Sequence, residues 1–422
     1  MLGRMSLEAK IKRQRLWRFL ENEWVRLIGI LVVWKLVVGV GVAWLGWKLD
    51  AMRTTDFRRY MRRWPEHAQE PVLESYFATW DGAHYLHLAK QGYWPGDFSC
   101  AFYPLFPMVV RGTAPVFGGN FVVTGMLWAN VASLAGWLLF YAVVGRRWGR
   151  KVALWALALL VTFPGSLFYQ FPYSEGFFFL LLMMLWWAVE QRRWIMAYGA
   201  GVLLPMTRGI GAFAVLPLGW QAIRQGVPEG IHQIVQRKRW LRWIGAEPIP
   251  PQQRMRLWVV AVAPVIGWLL YLACMGVWTG NMWEGFVAQK HWHTHSVWHL
   301  IDVPGFLKAF FWDVQTWHAY RGSMLDRLVF LMALWTTPLL WKMDRNFLIW
   351  WYWLAVLPAM SGHCTSYTRF VSVAFPVFAA LGWLFGQGKY RWTRWFRWIV
   401  LGIFLIGHGW LVWRFVRFQW AG

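Results

Sequence analysis

Acidic residues are what this chain has least of. Only 19 of its 422 residues are Asp or Glu, against 43 Lys and Arg, so a carboxylate in an apolar stretch is a costly exception that asks for a reason. The three cysteines, Cys100, Cys274 and Cys364, match no metal or redox spacing and exclude a cysteine-based motif of either kind. Cys274 lies inside an apolar span, while Cys100 and Cys364 fall on one side of the topology derived below, as two free thiols or as a bridge. There is no internal repeat and no stretch that reads as a soluble module.

What remains is apolar. Hydrophobic residues make up 58% of the chain and the mean hydropathy is +0.35, above the roughly 45 to 50% apolar share of soluble domains. The sequence predicts an all-α polytopic membrane protein whose residues 1–422 form a single transmembrane domain. Its 38 Trp residues are spread along the whole length, as expected of aromatic belts at the two membrane surfaces. The formal charge of +24 would suit nucleic acid, but the basic residues come in short clusters between apolar spans. That pattern marks cytoplasmic loops, with membrane lipids as the anionic partner and no nucleic acid.

Residues 1–26 read as a basic cytoplasmic amino terminus leading into an uncleaved signal anchor, Leu27 to Trp47. Lys35 inside that run has two readings, snorkelling to the cytoplasmic headgroups or contact with a lipid phosphate. Residues 48–120 form a long first outer loop with juxtamembrane helices. Further spans follow at Phe121 to Val144, Val152 to Phe171, Gly176 to Val189, Ile195 to Trp220, Leu257 to Trp278, Leu328 to Trp341, Phe347 to Met360, Phe370 to Phe385 and Ile399 to Phe415. If Ile195 to Trp220 is two short helices broken at Arg208-Gly209, the basic clusters all come out cytoplasmic, residues 221–256 included, with about eleven crossings. Arg414 and Arg417 then end on the outer side, against the charge rule. Breaks at Thr162-Phe163-Pro164-Gly165 and Phe171-Pro172 are read as shaping a cavity.

The chemistry collects on the outer side. Trp80-Asp81-Gly82-Ala83-His84-Tyr85 places an acid and an imidazole at helical positions i and i+3, on one face. Tyr173-Ser174-Glu175, Arg208, Thr279-Gly280-Asn281 with Gln289, and Tyr367-Thr368-Arg369 all arrive on the same side, and ionisable groups at the membrane edge are candidates for function with one another as partners. Each has a structural reading too: Glu175 as a bridge to Arg208, and Arg369 as a headgroup anchor. The alternating His291, His293, His295 and His299 read as an interfacial loop or a metal site, though no acid or cysteine stands among them.

These landmarks carry a resemblance. Trp80-Asp81-x-x-His84-Tyr85, Ala89-x-x-Gly92-Tyr93 and Ala101-Phe102-Tyr103-Pro104-Leu105-Phe106-Pro107 resemble the first outer-loop signature of the PIG-V family, the second GPI mannosyltransferase and its prokaryotic relatives. Pro172-Tyr173-Ser174-Glu175, Thr207-Arg208-x-x-Gly211, Thr279-Gly280-Asn281 through Phe286 to Gln289, and Tyr367-x-Arg369-x6-Pro376 follow in the family's order. Asn281 departs from the pattern, standing where an Asp is expected. The resemblance implies a GT-C type fold and an inverting glycosyltransferase. It would move a hexose, typically mannose, from a polyprenyl or dolichyl phosphate sugar to a glycan, lipid or protein acceptor on the non-cytoplasmic face.

On that reading Asp81 is the general base and His84 orients it or meets the phosphate. Trp80, Tyr85, Ser174, Glu175, Arg208, Asn281, Gln289, Tyr367 and Arg369 hold donor or acceptor. Arginine forks balance a departing monophosphate, so no cofactor or metal is expected. A transporter or flippase of lipid-linked substrates would also use broken helices, but binds near the midplane between paired halves. A non-catalytic scaffold subunit would dispense with Asp81.

Overall fold

The computed structural model describes residues 22–49, 52, 57, 64, 70–226, 249–292, 296–388 and 390–422. The basic amino-terminal segment up to residue 21, most of the basic stretch after Arg224, and His293 and His295 therefore lie outside the described residues. Among the described residues the regular structure is all helical, apart from one isolated bridge between Thr316 and Ser323.

Five helices among the described residues are long and apolar enough to cross a membrane: Glu23–Lys48, Phe121–Trp148, Pro251–Thr279, Met324–Met343 and Thr393–Val416. The first of them turns Ile30, Val33, Leu36, Val37 and Val40 outward as exposed apolar groups. An apolar surface of that kind belongs against lipid. Other expected spans are shorter or broken, and proline is the recurring cause. The helix Arg150–Thr162 stops where Phe163 turns extended (ψ 137°) ahead of Pro164, because the residue before a proline is pushed out of the helical region. A 3₁₀ turn, Pro164–Tyr169, carries the chain on to Pro172, and Glu175–Glu190 follows. Leu357-Pro358 follows a π turn at Tyr352–Val356, the wide-turn form that helices adopt next to a missing donor. Arg208 does interrupt its span: Trp194–Thr207 ends there, Arg208 is extended (φ −158°, ψ 135°), and a 3₁₀ turn, Gly209–Ala214, leads into Val215–Gly226.

Ion pairs fix the two ends of the bundle. At one end Arg147 pairs with both Glu190 and Asp344, and Arg150 bonds Glu23 at 2.7 Å. At the other lie Asp81, Glu175, Arg208 and Arg369. Because Glu175 and Glu190 begin and end one helix, the two clusters stand about 22 Å apart at 1.5 Å per residue. Between them sits a continuous apolar core built around Phe140, Leu159, Phe178, Leu182, Leu185, Phe375 and Phe378, all fully buried.

Lys35 follows neither of its expected readings. It is buried, and its ammonium donates to Asn130 Oδ1 (3.0 Å), Ser133 Oγ (2.8 Å) and the Tyr169 carbonyl (3.4 Å) while lying 4.3 Å from the Trp137 ring centre. Acceptors from neighbouring elements thus hold it inside the bundle, away from headgroups and lipid phosphate. Arg414 is likewise satisfied by protein: it donates to the carbonyls of Trp420 (2.7 Å) and His318 (3.1 Å). Cys100, Cys274 and Cys364 are all free thiols.

Candidate active site

The first outer-loop signature folds as the short helix Asp81–Gln91, packed on Leu105–Thr113 and on Phe121–Trp148. Trp80 precedes it with a positive φ of 53°, unusual for an aromatic residue. That turn sends Trp80 toward Phe418 and Trp420, with ring centroids 4.8 and 5.1 Å away, and leaves Asp81 in the first turn of the helix.

Arg369 is the hub of the site. It enters on the five-residue helix Tyr367–Val371, where Thr368 donates both its amide (2.7 Å) and its hydroxyl (2.5 Å) to buried Asp326. On the other side that helix lies against the Pro164–Tyr169 turn, and only glycine fits at 165. A Cβ there would fall onto the Thr368 carbonyl. Held this way, the Arg369 guanidinium donates Nη1–H to Asp81 and Nε–H to Glu175, and Glu175 accepts a further N–H from Arg208 through the same oxygen. Two carboxylates and two guanidinium groups therefore balance.

The two acids differ in access. Glu175 is fully buried, its second oxygen has no hydrogen-bond partner among the described residues, and its one engaged oxygen is shared by two arginines. Asp81 keeps 19% of its side chain exposed and offers one carboxylate oxygen beyond the one that Arg369 holds. Of the two acids, Asp81 is the one with exposed surface. Aromatic faces line the cations: Arg369 lies 4.8 Å from the Tyr173 ring and 5.1 Å from Phe168, and Arg208 lies 4.8 Å from Phe370. Such contacts stabilise a guanidinium that has left water.

The remaining expected residues are dispersed. His84 has a hydrogen bond to Ser99 Oγ (2.9 Å) and stacks on Phe102 at 5.0 Å, so its environment is set by the loop after it. Tyr85 and Ser174 are buried and bond each other at 2.7 Å behind the ion cluster. Burial, then the neighbouring Glu175 carboxylate, pushes the Tyr85 phenol up to about 12, so it stays a neutral brace. Tyr367 is in the core against Phe330, not in contact distance of the cluster's open side. Asn281 serves its own turn: its Oδ1 accepts from the Trp283 amide and its Nδ2 donates to Glu284 (3.1 Å). Gln289 closes the helix Glu284–Gln289, half-buried.

Three acids escaped the sequence reading as site-building residues. Asp97 is buried, caps Ser99 (3.0 Å) and pairs with His87 at 3.3 Å, so it ties both histidines of the Asp81–Gln91 helix to the following loop. Glu284 accepts from the Gly96 amide at 2.7 Å and pins that loop to the segment after Thr279. Asp326 positions the Arg369 helix, as above. Their rarity was the available signal: any Asp or Glu in so acid-poor a chain merits a partner search.

No protein-family model matches the chain. A GPI mannosyltransferase 2 from Drosophila pseudoobscura pseudoobscura is 34% identical over 121 residues, covering 26% of this chain and 26% of that protein. Over that part the chain resembles a GPI mannosyltransferase 2. The chain thus spans about a quarter of the length of the curated relative it matches. Among solved structures, the Archaeoglobus fulgidus oligosaccharyltransferase in complex with Zn and sulfate is similar at 12% identity and TM-score 0.45, over 92% of this chain and 53% of that one. ArnT from Cupriavidus metallidurans bound to undecaprenyl phosphate is similar at 15% identity and TM-score 0.45, over 91% of this chain and 73% of that one.

Proposed function

We propose that this membrane protein is a GT-C type inverting glycosyltransferase. It moves a hexose, mannose in the first instance, from a polyprenyl-phosphate donor to an acceptor hydroxyl on the non-cytoplasmic face. The observation that carries the proposal is the Asp81–Arg369–Glu175–Arg208 cluster, in which one acid is accessible and the other is sealed. The part-length likeness to a GPI mannosyltransferase 2 supports the choice of sugar.

In this reading the acceptor oxygen attacks the anomeric carbon while the bond from that carbon to the phosphate oxygen breaks, its electron pair leaving with the lipid phosphate. The acceptor proton passes to the free oxygen of Asp81. Arg369 uses two of its five N–H donors on carboxylates and Arg208 uses one, so both retain donors for phosphate oxygens. A phosphate drawn to Arg369 competes with Asp81 for the same cation, and a carboxylate released from that guanidinium is free to meet the acceptor hydroxyl. Donor binding would in this way prepare the base it needs. His84 and Asp97 hold the loop after the Asp81–Gln91 helix and take no part in proton transfer.

The decisive experiment uses the full chain in lipid nanodiscs with polyprenyl-phosphate mannose labelled in the sugar and a membrane lipid extract as acceptor. Label should move to a new lipid or glycan in a manner that Asp81→Asn abolishes. Binding of the donor without any transfer, in the presence of complete extract, would point to a carrier instead.

A further inference from the structure

Beside Asp81 the site is walled by Trp80 of the first motif and by Tyr320 and Trp420, which no sequence motif marks. After the helix Thr393–Val416 the chain reverses at Phe418, whose φ is 58°, and folds back over the cluster. Arg414 fixes this segment by donating to the Trp420 carbonyl at 2.7 Å. Trp420 meets Trp80 edge to face at 5.1 Å and Tyr320 at 4.7 Å, so three half-buried rings from three separate segments form one corner next to Asp81. The backbone then passes Arg369: an added Cβ at Gly422 would lie 3.6 Å from Arg369 Cδ.

Trp420 also brings a polar atom to this corner. Trp420 Nε1 is buried and has no hydrogen-bond partner among the described residues. Leaving such a donor unmet costs about 1 to 3 kcal/mol, a penalty that a ligand acceptor would remove. Half-buried rings with an indole N–H suit a hexose, which presents C–H groups on its apolar face for dispersion contact and hydroxyl oxygens at its rim. An acyl chain would use the rings but not the N–H. A free phosphate would seek the arginines and gain nothing from the rings.

We propose that Trp420, with Trp80 and Tyr320, is the subsite for the hexose of the donor, and that Trp420 Nε1 donates to a sugar hydroxyl. The inference rests on the glycosyl-transfer reading above and deepens it. It makes Trp420 a specificity-determining residue, because the rings recognise the sugar while Arg208 and Arg369 recognise the phosphate that all such donors share.

The test compares two probes on the full chain in nanodiscs, polyprenyl phosphate and polyprenyl-phosphate mannose, with affinity read by ligand titration. The wild type should hold the sugar-bearing lipid more tightly. Trp420→Ala should weaken that lipid about tenfold, roughly 1.4 kcal/mol, and leave polyprenyl phosphate unchanged. Trp420→Phe, which keeps a ring but loses the N–H and guards against a folding defect, should fall between. Equal losses for both lipids in Trp420→Phe, or no loss for either, would overturn the subsite while leaving the phosphate site standing. A wild type that binds neither lipid would overturn the glycosyltransferase reading as well.

Discussion

Asp81 and Arg369 stand 288 positions apart in the chain and share an ion pair at one end of the bundle. The pair joins the most distinctive motif of the sequence to a helix that the sequence marks only weakly. It also separates two acids that look equivalent on paper. Glu175 sits beneath the same arginine with no exposure, so its role is to hold cations in place, whereas Asp81 faces outward.

Asp81→Asn should therefore lower transfer about 10² to 10⁴ fold, the usual worth of a general base, with donor binding at least as tight as wild type because the phosphate no longer competes with a carboxylate for Arg369. Glu175→Gln should do the reverse first, costing about 3 to 5 kcal/mol because two buried guanidinium groups lose their counter-charge. Turnover with labelled donor and thermal melting in the same detergent check both. Wild-type turnover in Asp81→Asn would transfer the base to another group.

Arg369→Lys and Arg208→Lys keep the charge and remove the planar fork. Arg369 serves two carboxylates at once, a geometry one ammonium reproduces poorly, so Arg369→Lys should suffer the larger loss of donor affinity. Arg208 engages one carboxylate, and its lysine variant should fold normally with a smaller loss. Donor titration separates them, and unchanged affinity in both would assign the arginines to structure alone.

Gly165→Ala tests how Arg369 is positioned. The added methyl would fall onto the Thr368 carbonyl, and overpacking of this kind costs about 1 to 3 kcal/mol. Activity should drop further than the stability loss accounts for, since the displaced helix carries Arg369. Full activity with a lowered melting temperature would show that the helix shift is absorbed elsewhere.

His318 gives a pH dependence outside the membrane spans. Burial, then the nearby Arg414 guanidinium, pushes its imidazole down from 6.5 to about 4. The unfolded chain takes up a proton between those values that the folded chain refuses, so stability is complete above about pH 6.5 and falls as the pH drops through 4. The shift corresponds to about 3 kcal/mol at 1.36 kcal/mol per unit. His318→Gln should flatten the melting temperature across that window, and a wild-type curve with no slope there would remove His318 as its source.

Sidedness is tested by thiol labelling in a background lacking Cys274. Pro95 is exposed beside the Asp81–Gln91 helix and Arg193 is exposed at the far end, next to Glu190. Neighbouring Asp97 is a poor probe position because it is buried and paired. Cysteine at 95 should react with an impermeant reagent from outside and cysteine at 193 should not. The opposite result would place the cluster on the cytoplasmic side.

The sequence by itself determined the class of this protein and much of its site. Apolar spans separated by basic clusters lead to a helical membrane protein, because the bilayer leaves the backbone no other economical way to satisfy its hydrogen bonds. Breaks at Arg208 and before Pro164 were legible as well, since each follows from local backbone chemistry. Scarcity of acids drew attention to Asp81 and Glu175 for the same kind of local reason. Only the tertiary structure decided which acid is open and which is sealed, that His84 answers to Ser99, that Tyr367 and Asn281 serve packing and a turn, and that Lys35 is held by protein acceptors. It also decided that Trp420 reaches the site. Partners such as Asp81 and Arg369 meet through packing of segments hundreds of residues apart, and no periodicity or spacing along a chain encodes a distance between helices that only side-chain volume and proline-induced breaks set.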